Sequence, residues 1–162
     1  MKKKFFLKID NFPFKNGNDL LITLKKNKIM LSPWIEDYLL KKKNFQETDK
    51  SLPCKLYKIH LKNDLNIKKE IFLKDIYESI KKKGYQLINP EIALYSRIFI
   101  KQKKLGSWIR FATPLNSMID SDGVPHLPKI GFALNKYFLE TYWAYPKAVF
   151  HPHNYFIACK KI

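Results

Sequence analysis

The sequence predicts an α+β fold in which a helical N-terminal half packs on a small antiparallel, aromatic-rich C-terminal sheet. Two observations lead to this prediction. Before residue 105, apolar residues recur at helical spacing in lysine-rich segments, whereas after residue 106 apolar and aromatic residues alternate in short runs. The length of 162 residues fits one domain with its own core. We therefore treat residues 1–162 as a single domain whose pattern changes near residue 105.

Two helices are predicted early in the chain. Asn18 is a residue that caps helices, and the apolar stripe after it extends to about residue 29. Ser32 and Pro33 predict the start of a second helix, because serine caps well and proline suits the first helical position. Lys41–Lys43 then match the negative end of the helix dipole.

Two further helices are predicted before residue 100. The third spans about 72–83, where apolar residues recur at the helical period, and Gly84 follows at the position of a left-handed C-cap. Asn89-Pro90-Glu91 predicts the start of the fourth, which runs to about residue 98 and places Arg97 near its end.

Strand signals occur early and dominate the end of the chain. Residues 4–9 could form a short first strand, and residues 55–62 alternate cleanly between polar and apolar. Alternation around Trp108 and Arg110 predicts another strand, followed by a tight turn at Asp120–Gly123. The remaining predicted strands cover 127–134, 137–145 and 155–160.

The net charge of +17 is the strongest compositional signal. Residues 1–105 carry +14 of it, and 29 of the 31 basic residues are lysines. A field of this size attracts nucleic acid, anionic lipid or an acidic protein. An AT-rich genome would also produce many lysines without selection for binding. The candidate anion-binding residues are Lys81, Lys82, Lys83, Lys101, Lys103, Lys104, Arg97 and Arg110.

The C-terminal aromatic residues suggest a stacking surface. Proteins stack single-stranded bases on aromatic rings within positively charged grooves, and such a platform is suggested by Tyr137, Phe138, Tyr142, Trp143 and Tyr145 with Lys136 and Lys147 nearby. The alternative is that these rings form the core of the sheet. If Trp108, Tyr142 or Trp143 is exposed, these aromatic residues could also be anchors for another protein.

Catalytic chemistry is only weakly indicated. Glu140 lies between aromatic residues, and burial would require a partner such as Arg97 or Arg110. Together with His151 and His153, Glu140 is a weak candidate for acid/base catalysis. The spacing of the four histidines and of Cys159 is not diagnostic of zinc, so we predict no metal and no cofactor.

Composition predicts a protein of the cytoplasm. Two distant cysteines do not form a disulfide framework and are expected to be reduced thiols. No run of about 18 apolar residues is present, so we expect no membrane span. The N-terminal sequence begins like a signal peptide, but Lys8 and Asp10 interrupt the apolar stretch that such a peptide needs.

The second half of the chain resembles an uncharacterised bacterial protein family. That family shares a Gly-x-Trp strand and a Ser-Asp-Gly turn, and the resemblance implies one compact fold without implying an activity. Ser107 replaces the glutamate of the family's G-E-W element, and the spacing from Pro114 to the turn is longer here. The matching residues are Asn89–Glu91, Arg97, Gly106–Trp108, Pro114–Leu115 and Asp120–Gly123.

The function predicted first is a small basic binding protein. Its expected partner is nucleic acid or an acidic protein, contacted through lysine patches. The alternatives are a hydrolase or transferase with a pocket at the aromatic sheet, and an interaction module of a larger assembly. The sequence does not indicate a substrate or an oligomeric state.

Overall fold

A computed structural model describes residues 5–105 and 107–162. Residues 1–4 and Gly106 lie outside the described residues, and they include the first residue of the predicted strand 4–9 and the glycine of the Gly-x-Trp element. The elements are β1 (Leu7–Ile9), α1 (Gly17–Lys26), β2 (Ile29–Leu31), α2 (Pro33–Lys41), α3 (Gln46–Asp49), β3 (Cys54–His60), α4 (Leu61–Leu65), β4 (Ile71–Phe72), α5 (Leu73–Lys82), α6 (Pro90–Ser96), β5 (Ile109–Phe111), β6 (His126–Ala133), β7 (Lys136–Trp143), β8 (Val149–Phe150) and β9 (Tyr155–Lys161).

The main sheet is mixed and has seven strands in the order β1-β3-β9-β5-β6-β7-β2. Strands β5 and β9 are parallel, as are β2 and β7, and the other neighbours are antiparallel. The N-terminal half supplies both edge strands and β3. The predicted architecture, a helical half on a small antiparallel C-terminal sheet, is therefore wrong, and the fold is mixed α/β.

The correction has a physical cause in the length of the edge strands. Strands β1 and β2 have three residues each, too few for alternation to show. Strand β2 also follows α1 closely, so its apolar residues read as the last turn of that helix. The backbone leaves the helix at Lys28, whose φ of 58° is left-handed, and Ile29 then pairs with Tyr137.

The helix starts follow the capping chemistry. Ser32 accepts a hydrogen bond from the N–H of Ile35, and Asn89 caps α6 through the N–H groups of Glu91 and Ile92. The cap of α1 is Asn16, not Asn18, because Asn16 accepts from the N–H of Asp19. The predicted C-cap Gly84 has φ of +80°.

Three helices cover most of one face of the sheet. Helices α1, α2 and α6 pack on this first face, and their apolar residues form one core cluster with those of the strands. Burial of each such side chain contributes about 1.5–3 kcal/mol. Representative members are Leu20, Leu24, Ile35, Leu39, Ile92, Ile109, Ile130 and Leu139, all at most 2% exposed.

The second face is covered over only part of its width. Helices α4 and α5 and the β4–β8 ribbon pack on β3, β9 and the near end of β6, in a cluster that includes Ile76, Ile80, Leu127 and Phe156. Further across, the side chains of β5, β6 and β7 are only half-buried. We call this part the open face and define it by Arg110, Lys129, Phe138, Glu140 and Tyr142.

No helix within residues 5–105 and 107–162 has both the length and the apolar character that are needed to cross a bilayer.

Candidate functional site

Two cations lie side by side on the open face. Strand β5 places Arg110 directly opposite Lys129 of β6, and Lys129 is in turn opposite Glu140 of β7. Like charges that face each other across a strand pair are destabilising. Glu140 is the one carboxylate near this pair of cations among the residues that the structure describes, so the site keeps an excess positive charge.

Aromatic rings hold both cations in place. The Arg110 guanidinium lies 5.0 Å from the ring of Tyr142 and 5.4 Å from the ring of Phe150. The Lys129 ammonium lies 4.6 Å from the ring of Trp108 and 5.7 Å from that of Tyr142. Cation–π contacts of this kind contribute roughly 0.5–2 kcal/mol each. The rings fix the cations without neutralising their charge.

Burial weakens the charged state of both groups. Desolvation lowers the pKa of Arg110, with the nearby Tyr142 acting in the opposite direction. Desolvation also lowers the pKa of Lys129, which Glu140 raises and Arg110 lowers further. Arg110 Nη1 donates to Asn154 Oδ1 at 2.7 Å, but its buried Nε has no partner among the described residues. A bound anion would stabilise both cations.

A groove of about 580 Å³ lies beside the cations at the edge of the sheet. It is lined by Met30, Phe138, Glu140, Tyr142 and Trp143, among others. Trp143 is 61% exposed, and the rings of Tyr142 and Trp143 lie 6.4 Å apart. The groove therefore offers aromatic surface next to the paired cations.

A second hollow, of about 350 Å³, lies on the other side of Arg110. It is lined by Lys104, Trp108, His153 and Tyr155, together with Arg110 itself. Of the predicted site residues, the structure thus brings Arg110, Trp108, Tyr142, Lys104, His153 and Glu140 together around the open face. Trp143 alternates with Tyr142 along β7 and lies at the edge of the groove, opposite His126.

Arg97 is not part of this site. Its side chain is fully buried on the first face, where it donates to the carbonyl oxygens of Phe138, Ile100 and Gly131 and to Gln102 Oε1, at 2.7–2.9 Å. Burial lowers the pKa of Arg97 to about 10, and Tyr137 partly opposes this shift. The pairing with Arg97 or Arg110 was expected only if Glu140 were buried, whereas Glu140 is half-buried and the β6–β7 register places it opposite Lys129.

The predicted lysine patches remain on the surface but are separate from each other. Lys81–Lys83 are exposed at the end of α5, and Lys81 pairs with Glu78 at 3.4 Å. Lys101 lies 4.9 Å from the ring of Tyr137, and Lys103 is exposed. These lysines add to the positive field, while the site that combines cations with rings is the open face.

The predicted catalytic candidates His151 and His153 are exposed. Their rings are 5.4 Å apart, and His151 Nε2 lies 3.2 Å from Glu70 Oε1. Within the described part of the chain, no group of three or more His, Cys, Asp or Glu side chains could hold a metal ion. Cys54 and Cys159 are free and buried, and burial raises the pKa of Cys54 to about 11 and that of Cys159 to about 12.

Two features of the structure were missed by the sequence analysis. Lys129 was not singled out, because only the β5–β6 register places it opposite Arg110. The second is the group formed by the buried side chains of Asp120 and His126 and the half-buried Thr141, in which His126 lies 2.8 Å from Asp120 and 3.0 Å from Thr141. The predicted turn at Asp120–Gly123 could have indicated this group. A bridge between Ile119 and Pro125 closes the turn, and the closed turn brings Asp120 close to His126.

Comparisons of the chain with family models, with curated proteins and with solved structures found no match. The resemblance to a bacterial family therefore stays a prediction.

Proposed function

We propose that the protein binds single-stranded nucleic acid on the open face. The observation that carries the proposal is the direct opposition of Arg110 and Lys129 across β5 and β6. A sheet that keeps two like charges opposite each other violates a rule of strand pairing, and such violations concentrate at functional sites. A phosphate between these two cations would offset their repulsion.

The surrounding rings favour nucleic acid over a simple anion. Trp143 and Tyr142 line the groove beside the cations, and Trp108 packs against Lys129. Stacking of one base on an aromatic side chain contributes about 1–3 kcal/mol and does not depend on sequence. The bases of a single strand reach such rings, whereas those of a duplex are already stacked.

The exposed lysines would contribute long-range attraction. The net charge of +17 speeds the approach of a polyanion from any direction, and lysine contacts with phosphates carry no sequence information. We accordingly propose binding with little sequence preference and a steep dependence on salt. The cytoplasm, where single-stranded RNA is abundant, remains the proposed compartment.

The test is fluorescence anisotropy of a labelled single-stranded oligonucleotide of random sequence, titrated at several salt concentrations. The Arg110→Gln/Lys129→Gln variant removes two charges from the open face. The matched control, Lys81→Gln/Lys82→Gln, removes two charges from the end of α5. We expect the first variant to weaken binding at least about tenfold and to make the log–log salt slope shallower by about 1.4, with a much smaller loss of affinity in the control.

Two further measurements separate the proposal from a general affinity for polyanions. Trp143→Ala, with its charge unchanged, is expected to weaken single-strand binding by about 5-fold to 100-fold and to have little effect on duplex binding. Poly-glutamate is expected to compete poorly at equal charge concentration. Equal losses in the two double variants, or equal competition by poly-glutamate, would show that the open face is not a nucleic-acid site.

A further inference from the structure

The group of Asp120, His126 and Thr141 lies on the first face, away from the paired cations. It borders a cleft of about 240 Å³ between α2 and the loop before β6. The side chains of His126 and Asp120 are only 7% and 6% exposed. A buried ionisable pair at the wall of a cleft is a candidate for chemistry, whatever ligand binds to the open face.

Both oxygens of the Asp120 carboxylate take part in hydrogen bonds. Oδ1 accepts from the N–H groups of Asp122 and Val124, each at 2.9 Å, and Oδ2 contacts His126 Nε2 at 2.8 Å. The hydrogen bond from His126 is the main cause that lowers the pKa of Asp120, so the carboxylate is ionised at neutral pH. An ionised carboxylate only accepts hydrogen bonds.

This requirement fixes the tautomer of the imidazole. Because Asp120 only accepts, Nε2 of His126 must carry a proton. In the neutral ring, Nδ1 is then the acceptor, and its partner at 3.0 Å is the hydroxyl of Thr141. Thr141 Oγ1 therefore donates its proton to a histidine that a carboxylate orients. A hydroxyl, a base and an orienting acid within hydrogen-bond reach are the arrangement of an activated nucleophile.

Thr141 lies at a free edge of the sheet. It borders both the 240 Å³ cleft and the 580 Å³ groove. Strand β2 ends at Leu31, and its last contact with β7 is the bond from the N–H of Ser32 to Leu139 O. Because the N–H of Ala144 donates to Pro125, alternation directs the N–H of Thr141 away from β6, towards this edge. An oxyanion formed beside Thr141 could accept from that N–H.

The cleft walls indicate the kind of substrate. Trp34 stacks on His126 at 5.2 Å and 32°, and Met118 and Ile119 add apolar surface. The charges that α2 and its C-cap bring to the cleft are paired: Asp37 with Lys41 at 2.8 Å, and Lys42 with Glu91 at 3.1 Å. The volume suits a small apolar acyl group and excludes a polymer.

We propose that Thr141 is a nucleophile for acyl transfer from small apolar esters, with His126 as its general base and Asp120 as a positioning residue. Oγ1 attacks the ester carbonyl and its proton moves to His126 Nδ1. The Thr141–acyl bond forms, the ester C–O bond breaks, and His126 returns the proton to the leaving alcohol. Water then hydrolyses the acyl-threonine with the same base.

The experiment treats the full chain with p-nitrophenyl acetate, maps acetylated residues by peptide mass spectrometry, and treats the product with hydroxylamine. Hydroxylamine removes an acetyl ester on Thr141 and leaves acetyl amides on the many lysines intact. We expect a hydroxylamine-labile acetyl at Thr141 in the wild type and none at that position in Thr141→Val. We expect His126→Gln to lower the rate of its formation by about 10²–10⁴.

Controls separate chemistry from folding. Thr23→Val removes a helix-surface hydroxyl that donates to Asp19 O, and should leave the adduct unchanged. In Asp120→Asn, the new amide can donate to His126 Nε2, so the ring proton moves to Nδ1 and Thr141 loses its acceptor. The pH–rate profile of this variant should therefore lose its histidine-dependent limb. Thermal unfolding should still show a folded protein. Absence of an acetyl ester from Thr141 in the wild type, or an unchanged rate in folded His126→Gln protein, would overturn the proposal.

Discussion

The two arginines of this chain lie on opposite faces of one sheet, and they are used differently. Arg97 on the first face donates to three backbone carbonyl oxygens and one amide, all within 2.9 Å. Arg110 on the open face makes one hydrogen bond, to Asn154, and otherwise lies between aromatic rings. Burial lowers the pKa of both.

The difference shows how partner chemistry separates a structural cation from a binding cation. Three carbonyl oxygens and one amide oxygen take four of the five N–H donors of Arg97, and these bonds join the end of α6 to β6 and β7. Since Arg97 is also fully buried, no ligand can reach the group. Rings stabilise the charge of Arg110 without using its hydrogen-bond donors. No Asp or Glu within the described ranges forms an ion pair with either arginine, so the presence of charge alone does not distinguish them.

The largest expected effect is the loss of Arg97. Arg97→Gln leaves buried oxygens without a donor, above all Ile100 O and Gln102 Oε1, and the change should lower the free energy of unfolding by about 3–5 kcal/mol. Urea denaturation followed by far-UV circular dichroism measures it. Arg110→Gln is the matched variant and should cost about 1 kcal/mol. Equal costs would contradict the assignment of Arg97 as structural and Arg110 as ligand-binding.

A smaller effect is expected at Gly131, where the ring of Trp108 covers the sheet. A Cβ at this position would lie 2.6 Å from two ring atoms of Trp108, so the ring must move. Gly131→Ala should cost about 1–3 kcal/mol of unfolding free energy. Because Trp108 also holds Lys129, the variant should weaken oligonucleotide binding in the same anisotropy assay. Its crystal structure should show the ring displaced, and unchanged affinity with a displaced ring would exclude Trp108 from the site.

Local signals in the sequence predicted much of the secondary structure and little of the site. Ser32-Pro33 and Asn89-Pro90 marked helix starts because capping depends on residues only a few positions apart. The parallel pairing of β2 with β7 and of β5 with β9 joins segments far apart in the chain, and no local pattern specifies such partners.

The candidate site depends on the same non-local geometry. Trp108, Arg110 and Tyr142 were predicted from their residue types, and the structure brings them together, with Trp143 at the adjoining edge of the sheet. Lys129 could not be chosen from many lysines until the register placed it opposite Arg110. Arg97 was predicted to bind anions as one of the two arginines of the chain, whereas the tertiary fold buries it against β6 and β7.

The Asp120 carboxylate of the first face predicts a dependence of stability on pH. The pKa of Asp120 is lowered in the folded state, chiefly by the hydrogen bond from His126. A lowered carboxyl pKa stabilises the fold above the unfolded value of about 3.9, and this contribution disappears as pH falls through the folded pKa. The unfolding free energy of the wild type should therefore decline more steeply below about pH 4 than that of Asp120→Asn. Parallel pH curves for the two proteins would show that Asp120 makes no such contribution.

The smallest effect is expected from an exchange of cation on the open face. Arg110→Lys keeps the positive charge and loses the planar group that stacks between Tyr142 and Phe150 and donates to Asn154. Since phosphate attraction depends mainly on charge, affinity for the single strand should fall by no more than about threefold, and stability should change by less than about 1 kcal/mol.

Arg97→Lys is the matching exchange on the first face. Its ammonium has three donors and cannot reach the four fixed acceptors of Arg97. It should destabilise the fold nearly as much as Arg97→Gln, and a mild effect there would mean that charge, not geometry, holds Arg97 against the sheet.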